Sequence, residues 1–304
     1  MRENSINRRI FLSSVAMMGV AGTVSADALY ASCNADKASA FVPLKSEEAS
    51  ILRTVHLPKK IGVTAHRGAN EFAPENTLAA FRKSVELGVD LIEIDVRKTK
   101  DNINVIIHDA TLKRTTGLDG NISDLNYNEF NDVSAGKWYS DSFASEKIPT
   151  LEETCKEVKK WNENLGKKVS FYVDCKNPEI TKMIQTLKGY DFLETSVFYG
   201  NDATLEKIRE LVPQAKVMPA YGRDDQQLQN RIKKLKPYAF DVSWIMLTPQ
   251  LTGQLHGQNI RVFSDAPWNA SKEALIDAMK IGVDLIQTDR ILNVYEAERE
   301  WKQQ

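Results

Sequence analysis

Cysteine is scarce in this 304-residue chain: Cys33, Cys155 and Cys175 are too few for a disulfide framework and lack the Cys-x-x-Cys spacing of a metal site. Stability therefore has to come from packing. Neither sign of charge is in excess, because 40 lysines and arginines face 41 aspartates and glutamates, and a net charge of −1 gives no footprint for nucleic acid or an anionic membrane. Glycine and proline, at 15 and 10, are too sparse for a collagen-like or low-complexity chain. No apolar run approaches the ~20 residues of a transmembrane helix. What remains, 42% hydrophobic and 27% charged residues, is the composition of a globular protein with a sizeable core. The expected partner is a small molecule; no protein partner is expected.

The first residues read as an address and not as structure. Arg8-Arg9-Ile10-Phe11-Leu12 precedes the apolar, small-residue run Ser13–Val24 and the cleavage-like Val24-Ser25-Ala26. The paired arginines resemble a twin-arginine signal, so residues 1–34 are expected to be an export signal and the chain periplasmic. Cys33, in Tyr30-Ala31-Ser32-Cys33, is similar to a lipoprotein attachment site, with Tyr30 where leucine is usual. Residues 35–60 form a lead-in.

From residue 61 onward, short β-rich apolar runs alternate with helical stretches, which predicts parallel strands joined by helical crossovers in one β/α barrel over residues 61–304. The candidate strands are Ile61–Ala65, Asp90–Val96, Val105–His108, Val169–Asp174, Val197–Tyr199, Lys216–Ala220, Phe240–Ser243, Ile260–Ser264 and Val283–Thr288. Nine runs compete for eight places. The second and third are too close for a helix between them, so one of that pair is expected to be irregular. Residues 109–147, polar and aromatic with little helical periodicity, are expected to be an insertion on the rim. An internal echo, Gly88-Val89-Asp90-Leu91-Ile92 and Gly282-Val283-Asp284-Leu285-Ile286, follows the helical stretches Thr77–Leu87 and Lys272–Ile281 and marks two helix-to-strand junctions.

The chemistry sits at strand ends. Glu93 and Asp95 are two apart on a strand and project from one face, while Ile92, Ile94 and Val96 face the helices. Two carboxylates inside a barrel repel unless a cation neutralises them, and an oxygen-ligated divalent metal is the economical answer. Asp174, sharing a face with Tyr172 and Lys176, is the expected third ligand of Mg²⁺ or Ca²⁺. His66, before Arg67-Gly68, and His108, before Asp109, occupy the strand-to-loop positions where barrels keep catalytic groups; His56 and His256 do not. Arg67 suits a phosphate. Asp289-Arg290 reads as a structural pair, and Cys155 and Cys175 as buried thiols or a disulfide.

Taken together, His66-Arg67-Gly68, Pro74-Glu75-Asn76-Thr77, Glu93-Ile94-Asp95-Val96, Thr99-Lys100-Asp101, His108-Asp109 and Thr288-Asp289-Arg290 resemble the glycerophosphodiester phosphodiesterase family, in order and with similar gaps. The resemblance implies a TIM-type β/α barrel that cuts glycerophosphodiesters to an alcohol and glycerol 3-phosphate with one divalent cation. By position it implies His66 and His108 as the acid/base pair, Glu93, Asp95 and Asp174 as metal ligands, and Arg67 and Lys176 as phosphate contacts. Three departures stand out: Asp174 replaces a usual glutamate, Phe263-Ser264-Asp265-Ala266 a usual Trp-Thr-Val-Asn, and Ile291 a usual proline. The altered rim points to Tyr172, Tyr199, Tyr221, Trp244, Phe263 and Trp268 as aromatics that could line a pocket. Two alternatives stay open: a phospholipase-type phosphodiesterase acting on intact lipids, and a non-catalytic barrel that binds phosphorylated ligands.

Overall fold

The computed structural model describes residues 61–222 and 225–303. The expected export signal, Cys33, the lead-in and His56 lie outside the described residues. Eight parallel strands form the ring: β1 (Gly62–Ala65), β2 (Leu91–Lys98), β4 (Ser170–Asn177), β5 (Val197–Tyr199), β6 (Lys216–Met218), β7 (Ala239–Asp241), β8 (Arg261–Asp265) and β9 (Leu285–Thr288). β9 pairs with β1, and the seam between β6 and β7 is drawn together by Tyr238 N–H on Val217 O (2.9 Å) and the Ala220–Asp241 bridge. The TIM-type barrel expected from the alternating pattern is what the chain forms.

Helices α1 (Leu78–Leu87), α3 (Leu151–Leu165), α4 (Ile180–Gly189), α5 (Asp202–Leu211), α6 (Asp225–Leu235), α7 (Pro249–His256) and α8 (Lys272–Ile281) supply the crossovers, and α9 (Ile291–Trp301) follows the last strand. α3 begins with a reciprocal cap, Thr150 accepting from Glu153 N–H while the Glu153 carboxylate accepts from Thr150 N–H. The outer faces of the strands and the inner faces of the helices share one core, in which Ile92, Ile94 and Val96 are fully buried. Cys155 and Cys175 are both buried there as free thiols.

The ninth candidate is not a barrel strand. β3 (Asn104–Ile106) runs antiparallel to the end of β2, pairing Ile106 with Val96 and Asn104 with Lys98, in a hairpin that turns at Thr99-Lys100-Asp101. It carries His108 back over the end of β2 instead of leaving it at a barrel strand end. The backbone there is pinned: Ile107 N–H donates to Asp95 O (2.9 Å), and Arg97 donates from Nε and Nη2 to His108 O at 2.9 and 2.7 Å. The rim insertion that follows contains one short helix, α2 (Lys113–Thr116), and three 3-10 turns. It closes over a satellite core of Val105, Ile107, Leu112, Ile122, Phe130, Ala135 and Ile148, so it is a packed lobe despite its weak periodicity.

The echoed Gly-Val-Asp units do the same work twice. Gly88 (φ 68°) and Gly282 (φ 100°) end α1 and α8 in the left-handed conformation, and the aspartate two residues on caps a neighbouring strand. Asp90 accepts Val63 N–H at 2.7 Å, and Asp284 accepts Val262 N–H at 2.8 Å. A tighter glycine lies after β1: at Gly68 (φ 81°) a Cβ would stand 2.8 Å from Ala80 Cβ, whereas at Gly88 it would meet only the flexible end of Lys167. Gly88→Ala should therefore cost about 1–2 kcal/mol, the left-handed penalty alone. Gly68→Ala should cost about 2–4 kcal/mol, because overpacking adds to it. Thermal unfolding of the two variants side by side checks the order, at about 2–4 °C per kcal/mol.

Candidate active site at the barrel mouth

Strand alternation builds the site in two tiers. Leu91, Tyr172, Val197, Ala239, Phe263 and Leu285 pack inside the barrel, and two residues further along the same strands come Glu93, Asp174, Tyr199, Asp241, Asp265 and Gln287. These polar residues, with His66, Asp95, His108, Tyr172 and Lys176, line a cavity of about 180 Å³. The apolar tier seals the barrel below the polar one.

The expected acidic triad is brought together. Asp95 pairs in register with Asp174 and Glu93 with Tyr172, and the oxygens that Glu93, Asp95 and Asp174 offer lie within 4.8 Å of one another. One oxygen of each is held by the protein: Arg67 N–H donates to Glu93 Oε2 (2.6 Å), Asn76 to Asp95 Oδ2 (2.7 Å), and Lys176 pairs with Asp174 Oδ2 (2.6 Å). Lys176 also reaches Asp95 Oδ1 at 3.5 Å. Beyond Asp95, β4 gains an extra residue against β2, so that Arg97 pairs with Asn177 and Lys176 falls within the irregular stretch. Asp174, shorter than the usual glutamate, still joins the triad. Three buried hard oxygen donors suit a divalent cation, and the protein supplies too little positive charge to satisfy them alone.

Both expected histidines line the cavity, and each is held by a carboxylate. His66 Nδ1 is 2.7 Å from Asp289 Oδ1, which also accepts from Asn70 (2.6 Å), and His108 Nδ1 is 2.7 Å from Asp109 Oδ1. Such a bond fixes the ring and leaves Nε2 as the nitrogen turned away from the carboxylate. Asp109 is held in turn by Arg114, which forks onto Glu75, and Glu75 accepts from Arg67 Nη1 at 3.0 Å. Arg67 has left-handed backbone (φ 54°), and its Nε lies 3.7 Å from Asp95. Its side chain is not among those lining the cavity; its main-chain N–H is what holds Glu93.

Several positions at the site escaped the sequence reading. Asp289 is a partner of His66 across 223 residues and not merely half of a structural pair with Arg290, which instead meets Glu71. Asn76, inside the Pro-Glu-Asn-Thr motif, orients Asp95 from a left-handed position (φ 56°). Asp241 and Asp265 add two carboxylates to the cavity; the alternation of their strands could have flagged them. Of the six aromatics, Tyr172 and Tyr199 line the cavity, Phe263 belongs to the apolar tier, Tyr221 and Trp244 pack on the outer core, and Trp268 is exposed.

Crowding shows in the acid strengths. Burial, then the charges of Asp95 and Asp174, lifts Glu93 well above the usual carboxylate range. Burial likewise raises Asp174 against the pull of Lys176, and raises Asp265 against His66 and a hydrogen bond from Gln287. Asp241 is pushed up to about 7 by burial and by the charges of Asp265 and Asp174. Burial disfavours the Lys176 ammonium, yet its bond to Asp174 and the surrounding carboxylates outweigh this and raise its pKa.

The chain belongs to the glycerophosphoryl diester phosphodiesterase family, whose model matches residues 66–293. It is accordingly an enzyme, a phosphoric diester hydrolase of glycerophosphodiesters. It is similar to the glycerophosphodiester phosphodiesterase of Caldanaerobacter subterraneus subsp. tengcongensis, 32% identical over 232 residues that cover 75% of this chain and 93% of that protein. Human glycerophosphodiester phosphodiesterase 1 is 32% identical over 155 residues, 50% of this chain and 44% of that one. Among solved structures, an Oleispira antarctica phosphodiesterase in complex with the product sn-glycerol-3-phosphate shares the fold with a TM-score of 0.70 at 24% identity, over 78% of this chain and 96% of that one. A glycerophosphodiester phosphodiesterase from Agrobacterium tumefaciens gives 0.68 at 20% identity, over 78% and 99%.

The raised carboxylates set the stability of the cation-free protein against pH. In that state Asp241 keeps its proton to about 7, whereas the unfolded chain loses it near the ordinary 3.8, so stability falls as pH rises between those values. Melting temperature measured in EDTA should decline from pH 4 to about 7 and level off above it, and Asp241→Asn should flatten that decline.

Proposed function

We propose that this enzyme releases glycerol 3-phosphate and an alcohol from glycerophosphodiesters with His66 and His108 as its acid/base pair and one divalent cation held by Glu93, Asp95 and Asp174. The observation that carries the reading is the pair of carboxylate-held histidines, both at 2.7 Å, lining one cavity with the acidic triad. Mg²⁺ and Ca²⁺ both suit three carboxylates, and either would act as a Lewis acid toward phosphodiester oxygen. Lys176 meets the phosphate's negative charge from the cavity wall, and Arg67 adds a second positive charge beside Asp95.

His66 Nε2 takes the proton from the glycerol hydroxyl next to the phosphate, and that oxygen attacks phosphorus. His108 gives a proton to the departing alcohol oxygen as the P–O bond breaks. The resulting cyclic phosphate is opened by water with the roles of the histidines reversed, which yields glycerol 3-phosphate and restores both. Asp289 and Asp109 stabilise the imidazolium that each ring becomes.

A second reading, cleavage of intact phospholipids, is favoured by large apolar side chains on loops that follow the strands: Trp138, Ile245 and Trp268 are 42, 84 and 68% exposed. The twin-arginine-like segment supports a periplasmic location, and Cys33 a lipid anchor; fusion of residues 1–34, with and without Cys33→Ser, to a secreted reporter tests both.

Glycerophosphocholine, glycerophosphoethanolamine, glycerophosphoglycerol and glycerophosphoinositol should release glycerol 3-phosphate, with activity lost in EDTA and restored by Mg²⁺ or Ca²⁺. Phosphatidylcholine vesicles should be cut far more slowly; the reverse order would establish the lipid reading. His66→Ala and His108→Ala should each lower turnover by about 10²-fold or more with little change in melting temperature. Rapid-quench ³¹P spectra should contain a transient cyclic phosphate, and its absence with a competent substrate rules out attack by the glycerol hydroxyl.

A further inference from the structure

The triad occupies β2 and β4, and the strands across the ring from these two are β7 and β8. They carry Asp241 and Asp265, which face the same cavity and which neither the triad nor the histidine pair uses. Neither has an ion-pair partner among the described residues. Gln287, beside Asp265 in register, lines the cavity too and is only 6% exposed. Its amide donates to Asp265, while its Oε1 is buried with no hydrogen-bond partner. This wall consists of acceptors, two carboxylates and an amide oxygen, while Lys176 across the cavity is paired with Asp174 and lies 3.5 Å from Asp95. Tyr172 and Tyr199, whose rings are 5.8 Å apart, complete the lining between this wall and the triad.

Resting on the functional reading above, we propose that Asp241, Asp265 and Gln287 form the subsite for the alcohol half of the diester and select an alcohol that carries an ammonium group. An ammonium supplies both missing elements, an N–H donor for the orphaned Gln287 Oε1 and a positive charge for the two carboxylates. The tyrosine rings add a favourable face for the same cation. An anionic alcohol would meet repulsion, and an acyl chain would leave the buried Gln287 oxygen unpaired. The Phe263-Ser264-Asp265-Ala266 stretch thereby becomes a specificity element: Phe263 stays in the apolar tier while Asp265 faces the substrate.

The test uses the full chain with a divalent cation present and compares kcat/KM for glycerophosphoethanolamine with that for glycerophosphoglycerol, whose alcohol half is uncharged. The wild type should prefer the ammonium substrate at least tenfold, and Asp241→Asn and Asp265→Asn should each erase most of that ratio. Equal rates, a preference for the neutral polyol, or a ratio unmoved in both variants would overturn the subsite. Asparagine keeps the shape of aspartate and removes repulsion, and the melting temperature of each variant verifies its fold. If none of the glycerophosphodiesters is hydrolysed, the functional reading itself fails. Calorimetric titration with the same two compounds then decides the subsite alone: tenfold tighter binding of glycerophosphoethanolamine, lost in both variants, sustains it, and equal binding refutes it.

Discussion

Five carboxylates, Glu93, Asp95, Asp174, Asp241 and Asp265, share the lining of one small cavity, and their mutual repulsion is the force that the surrounding structure answers. Lys176 sits against two of them, Arg67 places its backbone N–H on a third, and Asn76 fixes an oxygen of Asp95. The left-handed backbone at Arg67, Gly68 and Asn76 is the local cost of these contacts, and close packing against α1 holds it in place.

Strand alternation made the metal-type triad readable, because Glu93 and Asp95 in an otherwise apolar strand have only one face available. His66 and His108 were readable for a similar reason, since each ends an apolar run. The β3 hairpin was harder: a run of four apolar and histidine residues looks alike whether it closes a barrel or folds back on its neighbour, and only the short spacing hinted at the second. Asp289 and Asp109 differ in the same way. A carboxylate next to its histidine in sequence is visible as a dipeptide, but one that meets its histidine across 223 residues is visible only once β9 has docked on β1. Asp241 and Asp265 stand two residues beyond the inward Ala239 and Phe263, so alternation gives their face, but each also closes its strand, where a solvated aspartate is ordinary. The packed core of the rim lobe was hidden by its irregular turns, which bury Leu112, Ile122 and Phe130 without a repeating period.

The two carboxylate-held histidines are therefore assembled by different parts of the chain. His108 and Asp109 are set by a hairpin and its neighbouring lobe, all within one contiguous stretch, whereas His66 acquires Asp289 only when the final strand closes the ring. Contacts within a short stretch form readily, while those between distant segments wait for loop closure. A ribosome-bound or truncated chain lacking the last strand would own one trained histidine and one untethered. The His66–Asp289 bond is thus a contact that only the closed ring contains, made by residues from its first and last strands' ends.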